Sequence, residues 1–210
     1  MERVRLGKSE LEVSPIAFGT WSFGGDWGRF DTDEAKATVG RALELGITLF
    51  DTAQGYGFGV AERFLGDALW SRARREDVFV ATKGGLRMDR DQLLRDASAS
   101  WLREGVDASL RNLGTDYIDL YQIHWPDEHT PPEETAGALE ELVRAGKIRH
   151  VGRFELRREA DRGARSLRQG RDPAAPVPCV PSRDRGRDPA LRHGSRHRRA
   201  RLRGDGARVC

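Results

Sequence analysis

Residues 33–59, DEAKATVGRALELGITLFDTAQGYGFG, decide how the chain is read. Within Asp33–Leu45 the apolar residues Ala35, Val39, Ala42, Leu43 and Leu45 fall near helical spacing. Asp31 or Thr32 can cap that helix, and Gly46 ends it. Thr48–Asp51 follows as a short strand, then a glycine-rich loop over Gln54–Gly59. A helix leading into a short apolar strand that stops at a polar residue is the unit of a parallel sheet covered by helices.

The unit recurs in both directions. Upstream, Arg3–Leu6 and Leu11–Val13 read as a small hairpin around a Gly7–Glu10 turn, and Ile16–Phe18 is an apolar run stopped by Gly19. Downstream, a helix from Ala61 to Arg72 precedes a strand at Val78–Thr82, and a long helical stretch, Asp91–Leu113, is closed by Gly114. Tyr117–His124 is the next strand, Glu133–Ala145 a helix ended by Gly146, and Ile148–Val151 begins another strand. The class is α/β. An open doubly wound sheet and a barrel both fit this rhythm. The first strand runs into Gly19-Thr20-Trp21 rather than G-x-G-x-x-G, so the dinucleotide fingerprint of the open sheet is missing and a barrel is favoured.

The 210 residues allow one domain or two small ones, and the charge is unevenly spread. Residues 1–152 carry 19 Lys and Arg against 26 Asp and Glu, a net of −7. Residues 153–210 carry 17 Arg, no Lys and 7 Asp and Glu, a net of +10, with Phe154 the single aromatic. The chain is therefore divided at 152, with an irregular, Arg-rich and disordered tail expected over 153–210. No apolar stretch approaches the ~18 residues of a membrane span, and the first residues lack the apolar core of a signal peptide. Cys179 and Cys210 make neither a disulfide framework nor a zinc site, so a cytoplasmic protein without metal is expected.

Polar residues gather at the strand ends. Asp51, Lys83 and His124 close successive strands, and Tyr56 lies in the loop after the first of these. In an α/β barrel such ends converge on one mouth, where active sites form. Each residue alone has an ordinary reading: an Asp that caps a turn, a solvated Lys, a His at a barrel rim. Together they make an acid–base set. A phenol, with a reference pKa of about 10, becomes a usable proton donor when an ammonium stands beside it and a carboxylate holds that ammonium. Such a phenol can protonate a carbonyl oxygen as hydride reaches the carbon, and a neutral imidazole can orient that oxygen.

The segments LGKSELEVSPIAFGTW, FDTAQGYG, ERFLGDAL, FVATKGG, SLRNLGTDYIDLYQIHWPD and ALEELVRAGKIRHVG resemble the aldo-keto reductase family, most closely its bacterial, stress-protein-like branch. The resemblance runs from Leu6 to about Gly152. It implies a (β/α)8 TIM barrel, NADPH/NADP+ as cofactor, and reduction of an aldehyde or ketone. The family's Asp-Tyr-Lys-His tetrad falls on Asp51, Tyr56, Lys83 and His124. The resemblance places Gly19, Thr20 and Trp21 beside the nicotinamide, Asp51 near the cofactor ribose, and Trp21 and Trp125 at the carbonyl pocket. Trp125 has an equal claim to be a barrel-rim aromatic. The implied partner is a small carbonyl substrate, with no nucleic acid, membrane or metal.

After Gly152 the resemblance stops. The family continues with roughly GVSN, whose Ser-Asn pair holds the nicotinamide carboxamide, where this chain reads GRFEL. Residues 152–162, GRFELRREADR, can be written in codons that read GVSNYDVKQI once a single base is deleted after the glycine codon. Residues 197–209, HRRARLRGDGARV, similarly yield IGVLVYGVMARG, which resembles the family's sixth strand. A one-base insertion is expected, leaving the N-terminal part of the barrel: a hairpin, about four β/α units and the start of a fifth strand. Two alternatives give other roles. Arg196–Arg201 could bind nucleic acid, although no interleaved aromatics support it. The chain could also be a non-catalytic remnant or partner-binding protein of the same fold, like potassium-channel β-subunits.

Overall fold

One parallel sheet of five strands organises the molecule. The computed structural model describes residues 1–7, 9–25 and 28–153. The sheet strands are β3 (Ala17–Gly19), β4 (Leu49–Asp51), β5 (Phe79–Gly84), β8 (Ile118–Ile123) and β9 (Ile148–Arg153). Helices α1 (Thr32–Glu44), α2 (Val60–Trp70), α3 (Ala99–Leu113) and α4 (Pro132–Arg144) fill the four connections in turn. The spatial order is β3-β4-β5-β8-β9, so within this sheet each strand after β3 pairs with the sheet strand that comes before it in the chain. A doubly wound sheet would reverse direction at a switch point. This one does not, and the fold is part of a TIM barrel.

The pleat sorts residues between two faces. Phe50, Val80 and Tyr121 face the helices and pack with Val39, Leu65, Leu69, Leu102 and Val106. Leu49, Ala81 and Leu120 lie on the other face, where Leu6 packs on them. Leu6 belongs to the hairpin of β1 (Val4–Arg5) and β2 (Glu12–Val13), which thus reaches the sheet's inner face. Leu65, Leu69 and Leu102 are fully buried, so truncating any one to alanine should cost about 2–5 kcal/mol. Helices α2 and α3 approach closely because Gly66 has no side chain. A Cβ there would stand 2.4 Å from the Leu113 carbonyl oxygen.

Local chemistry sets the helix ends. Asp31 caps α1, its Oδ1 accepting from the amides of Asp33 and Glu34 at 2.9 Å each. Gly46, at φ +82°, turns the chain out of α1 toward β4.

The long helix expected over Asp91–Leu113 is half correct. Residues Gln92–Arg95 form β7, paired antiparallel with β6 (Leu86–Asp89), and only Ala99–Leu113 is helical. Arg90, at φ +53°, makes the reversal between Asp89 and Gln92, a conformation no helix accommodates. Ser98 then caps α3, its Oγ accepting from the Trp101 amide, and Trp101 Nε1 ties the helix back to the Leu86 carbonyl at 3.2 Å. The expected strand at Ile148–Val151 is present and runs on to Arg153. The disordered tail expected over 153–210 lies, after Arg153, outside the described residues.

Candidate active site

The C-terminal ends of β3, β4, β5 and β8 bring the expected polar residues together. Lys83, near the end of β5, is 1% exposed, and its ammonium donates to Asp51 Oδ2 at 2.7 Å and to the Thr52 carbonyl at 2.9 Å. Adjacent strands in register carry this pair: Asp51 aligns with Ala81, the inner-face residue one step below Lys83. Asp51 remains 34% exposed, so the pair joins a buried cation to a carboxylate open to the cleft.

Tyr56 is placed by the glycine-rich loop. Its amide donates to the Ala53 carbonyl at 3.1 Å, and its own carbonyl accepts from Ala61 at 3.2 Å as α2 begins. Gly57 makes the loop possible. At φ +63° its added Cβ would meet the Gly24 carbonyl oxygen at 2.1 Å, so the loop lies directly on the 3-10 turn at Trp21–Gly24. The Tyr56 ring centroid lies 5.2 Å from Lys83 Nζ, 5.7 Å from the His124 ring in an edge-on arrangement, and 6.3 Å from the Trp21 ring.

His124 follows β8, its amide bonded to the Gly84 carbonyl at 2.9 Å. Burial pushes its imidazole pKa down to about 4, and the Lys83 charge pushes the same way. At neutral pH it is therefore an uncharged ring, able to donate a hydrogen bond without carrying charge.

A cleft of about 420 Å³ opens beside this group, lined by Gly19, Thr20, Trp21, Ser22, Asp51 and Tyr56. Thr20 fixes its floor, donating from both amide and hydroxyl to the Asp51 carbonyl at 3.0 and 3.2 Å. The residues fit the nicotinamide-ribose end of a dinucleotide. Gly19 leaves open space where a Cβ would stand, Trp21 presents a 53% exposed flat wall, and Asp51 offers a carboxylate to a hydroxyl. None of the lining residues is basic, so the phosphates of a dinucleotide gain no charge partner from this lining.

Trp125 stands beyond His124, ring centroids 6.3 Å apart, and is not among the lining residues. The Arg95 guanidinium of the β6–β7 hairpin lies 5.1 Å from its ring. Sequence reasoning missed Ser22 and Thr52. Ser22 directly follows the expected Gly19-Thr20-Trp21 run, a usable signal; Thr52 contributes only a backbone carbonyl, which no residue type announces.

The sequence profile of the Aldo/keto reductase family matches residues 15–155. This chain belongs to that family. Aldo-keto reductase YhdN of Bacillus subtilis (strain 168) is 46% identical over 153 residues, covering 72% of this reductase-family chain and 46% of its own length. The NADH-specific methylglyoxal reductase of Escherichia coli (strain K12) is 40% identical over 168 residues, covering 72% and 51%. The structure of aldo-keto reductase AKR11C1 from Bacillus halodurans, in its holo form, superposes with a TM-score of 0.70 at 39% identity, covering 78% of this chain and 53% of that one. The chain thus spans about half the length of the aldo-keto reductases it matches. Among the described residues no helix is long and apolar enough to cross a membrane, and no cluster of His, Cys, Asp and Glu side chains could hold a metal ion.

Proposed function

We propose that residues 1–152 carry the proton-transfer half of a nicotinamide-dependent reductase that converts an aldehyde or ketone to an alcohol. The observation that carries this reading is the grouping of Tyr56, Lys83, Asp51 and His124 beside one open cleft. NADPH, when bound along Gly19, Thr20, Trp21 and Asp51, supplies the hydride. Tyr56 gives its hydroxyl proton to the carbonyl oxygen and regains one from solvent. Lys83 steadies the phenolate left behind, and Asp51 keeps the ammonium in place. Neutral His124 donates to the same oxygen and sets the face presented to hydride. Trp21 and Trp125 bound the side chain of the carbonyl substrate. NADPH is taken from the family resemblance, while one relative is named NADH-specific, so both nucleotides belong in the assay.

The Arg-rich segment after residue 152 is read as an out-of-frame product of a one-base insertion in the gene. Support comes from the family match ending at 155 and from family-like text in the shifted frame. Sequencing the locus tests it: an uninterrupted codon series for GRFEL with no extra base sinks the idea.

On this reading the chain as written reduces carbonyls poorly, because positioning of hydride against carbonyl needs the carboxamide-holding Ser-Asn pair and the later strands. A non-catalytic, partner-binding protein of the same fold is the competing reading. Three proteins separate them: the chain as written, the frame-restored chain, and the restored chain with Tyr56→Phe. Oxidation of NADPH or NADH by an aromatic aldehyde is followed, with quenching of nicotinamide fluorescence reporting binding. Restored turnover that Tyr56→Phe abolishes, with cofactor binding kept, supports the reductase. A restored chain that binds no nucleotide overturns it.

A further inference from the structure

Behind the cleft, on the helix side of β5, one acidic side chain is enclosed completely. Glu62, in the first turn of α2, is 0% exposed. Its Oε1 accepts from Thr82 Oγ1 at 2.7 Å and its Oε2 from Asn112 Nδ2 at 3.2 Å. Thr82 is the residue before Lys83 on β5, and Asn112 lies near the end of α3. Asn112 also presses on Gly59, the αL residue that starts α2, where an added Cβ would stand 2.5 Å from Nδ2. One carboxyl group therefore joins the strand that carries Lys83, the helix that follows Tyr56, and α3.

The surroundings bear on its charge. From its own helix comes Arg63, whose guanidinium bonds Asn112 Oδ1 at 3.0 Å at an exposed position. From β5 comes Thr82, from α3 Ser109 and Asn112, and from β8 the wholly buried Tyr121. Only Arg63 among these is charged. Burial raises the pKa of Glu62, and the polar side chains Thr82, Ser109 and Asn112, with Arg63, work against that rise. Tyr121 is pushed up as well, by its own burial first and by Glu62 second. Ser109 Oγ is buried with no hydrogen bond of ordinary geometry. Both bonds to the carboxyl oxygens come from neutral side chains, and among the described residues no cation forms an ion pair with Glu62, so a charge there would be buried without a counter-ion.

We propose that Glu62 is a positioning residue that serves as a neutral carboxylic acid, clamping β5 to α2 and α3 so that Lys83 and Tyr56 keep their spacing, and that its ionisation loosens the clamp. A carboxyl that ionises freely in the unfolded chain and reluctantly in the fold costs stability as pH rises above the unfolded value, about 4.3. The cost grows until the folded group also ionises. The link to turnover rests on the reductase reading; the clamp itself does not.

The test uses the full chain as wild type, Glu62→Gln and Glu62→Ala. Thermal unfolding is measured from pH 5 to pH 9, and the rate of amine labelling at Lys83 is read by peptide mass spectrometry against Lys36. Glutamine keeps the shape and the spare donor of the neutral acid but cannot ionise. The expected result is a Tm advantage of Glu62→Gln over wild type that widens as pH rises. Lys83 labelling should be several-fold slower in Glu62→Gln than in wild type at pH 9, and fast in Glu62→Ala throughout. Parallel Tm curves for wild type and Glu62→Gln, or Lys83 labelling in Glu62→Gln as fast as in Glu62→Ala, would overturn the proposal. Neither readout uses turnover, so the role of Glu62 is tested even in a chain that reduces nothing.

Discussion

Lys83 Nζ and Asp51 Oδ2 lie 2.7 Å apart, yet the lysine is sealed in the sheet while the aspartate looks into the cleft. The two ends of this ion pair should answer differently to mutation. Removing Asp51 leaves a buried ammonium with the Thr52 carbonyl, whereas removing the charge on Lys83 leaves a carboxylate that water reaches. Asp51→Ala should therefore destabilise the chain by about 1–3 kcal/mol, below the ~3–5 kcal/mol of a fully enclosed pair. Lys83→Met, which fills the same volume without charge, should cost less. Urea unfolding of both variants measures the difference.

His124 predicts an acid limb. Its folded pKa of about 4 lies below the unfolded value of about 6.5, so protonation favours the unfolded chain. Stability is complete above pH 6.5 and should fall as pH drops toward 4, by up to ~3 kcal/mol at ~1.4 kcal/mol per unit. Comparing pH-dependent melting of wild type and His124→Phe checks this. The variant should lose less stability over that window, and equal losses would point to other groups.

Gly84 and Tyr121 form a steric pair. A Cβ on Gly84 would stand 1.8 Å from the Tyr121 hydroxyl oxygen and 2.8 Å from Cζ. Gly84→Ala should cost about 1–3 kcal/mol through overpacking. Tyr121→Phe alone should be close to neutral, because the buried hydroxyl has no hydrogen-bond partner to lose. The double variant should recover part of the Gly84→Ala loss, a coupling readable from a double-mutant cycle of unfolding free energies.

Asp31→Ala should destabilise by about 1 kcal/mol, since the two amides it caps at the start of α1 would turn to water. Asp31→Asn should restore most of that, and chemical denaturation distinguishes the two.

The strands and most helices were legible because their signals are local: helical spacing ended by Gly46, Gly114 or Gly146, and apolar runs stopped at Asp51, Lys83 and His124. The candidate site was legible for the same reason, since polar residues at the ends of parallel strands share one edge of a sheet. The failure at residues 91–98 has a clear cause. Leu93, Leu94 and Ala97 imitate a helical stripe, while the turn at Arg90 carries no Gly or Asn to announce its positive φ. The signal at Ser98 was present, a helix-capping residue between two charged and apolar segments. Glu62 was illegible for another reason. An acidic residue in the first turn of a helix is ordinary on a surface, favoured by the helix dipole, and only the tertiary packing of α2 against β5 and α3 encloses it.

The unreversed order of the sheet has a consequence for how the chain is made. Each of β4, β5, β8 and β9 adds beside a strand that was synthesised before it, so the sheet of a nascent chain leaving the ribosome never waits for a later partner to begin pairing. Gly19 emerges first, Asp51 and Tyr56 next, and Lys83 then finds its carboxylate already beside it. The arrival of β8 brings His124 and completes the group while α4 and β9 are still to come. Translation order and assembly order of the cleft are one and the same.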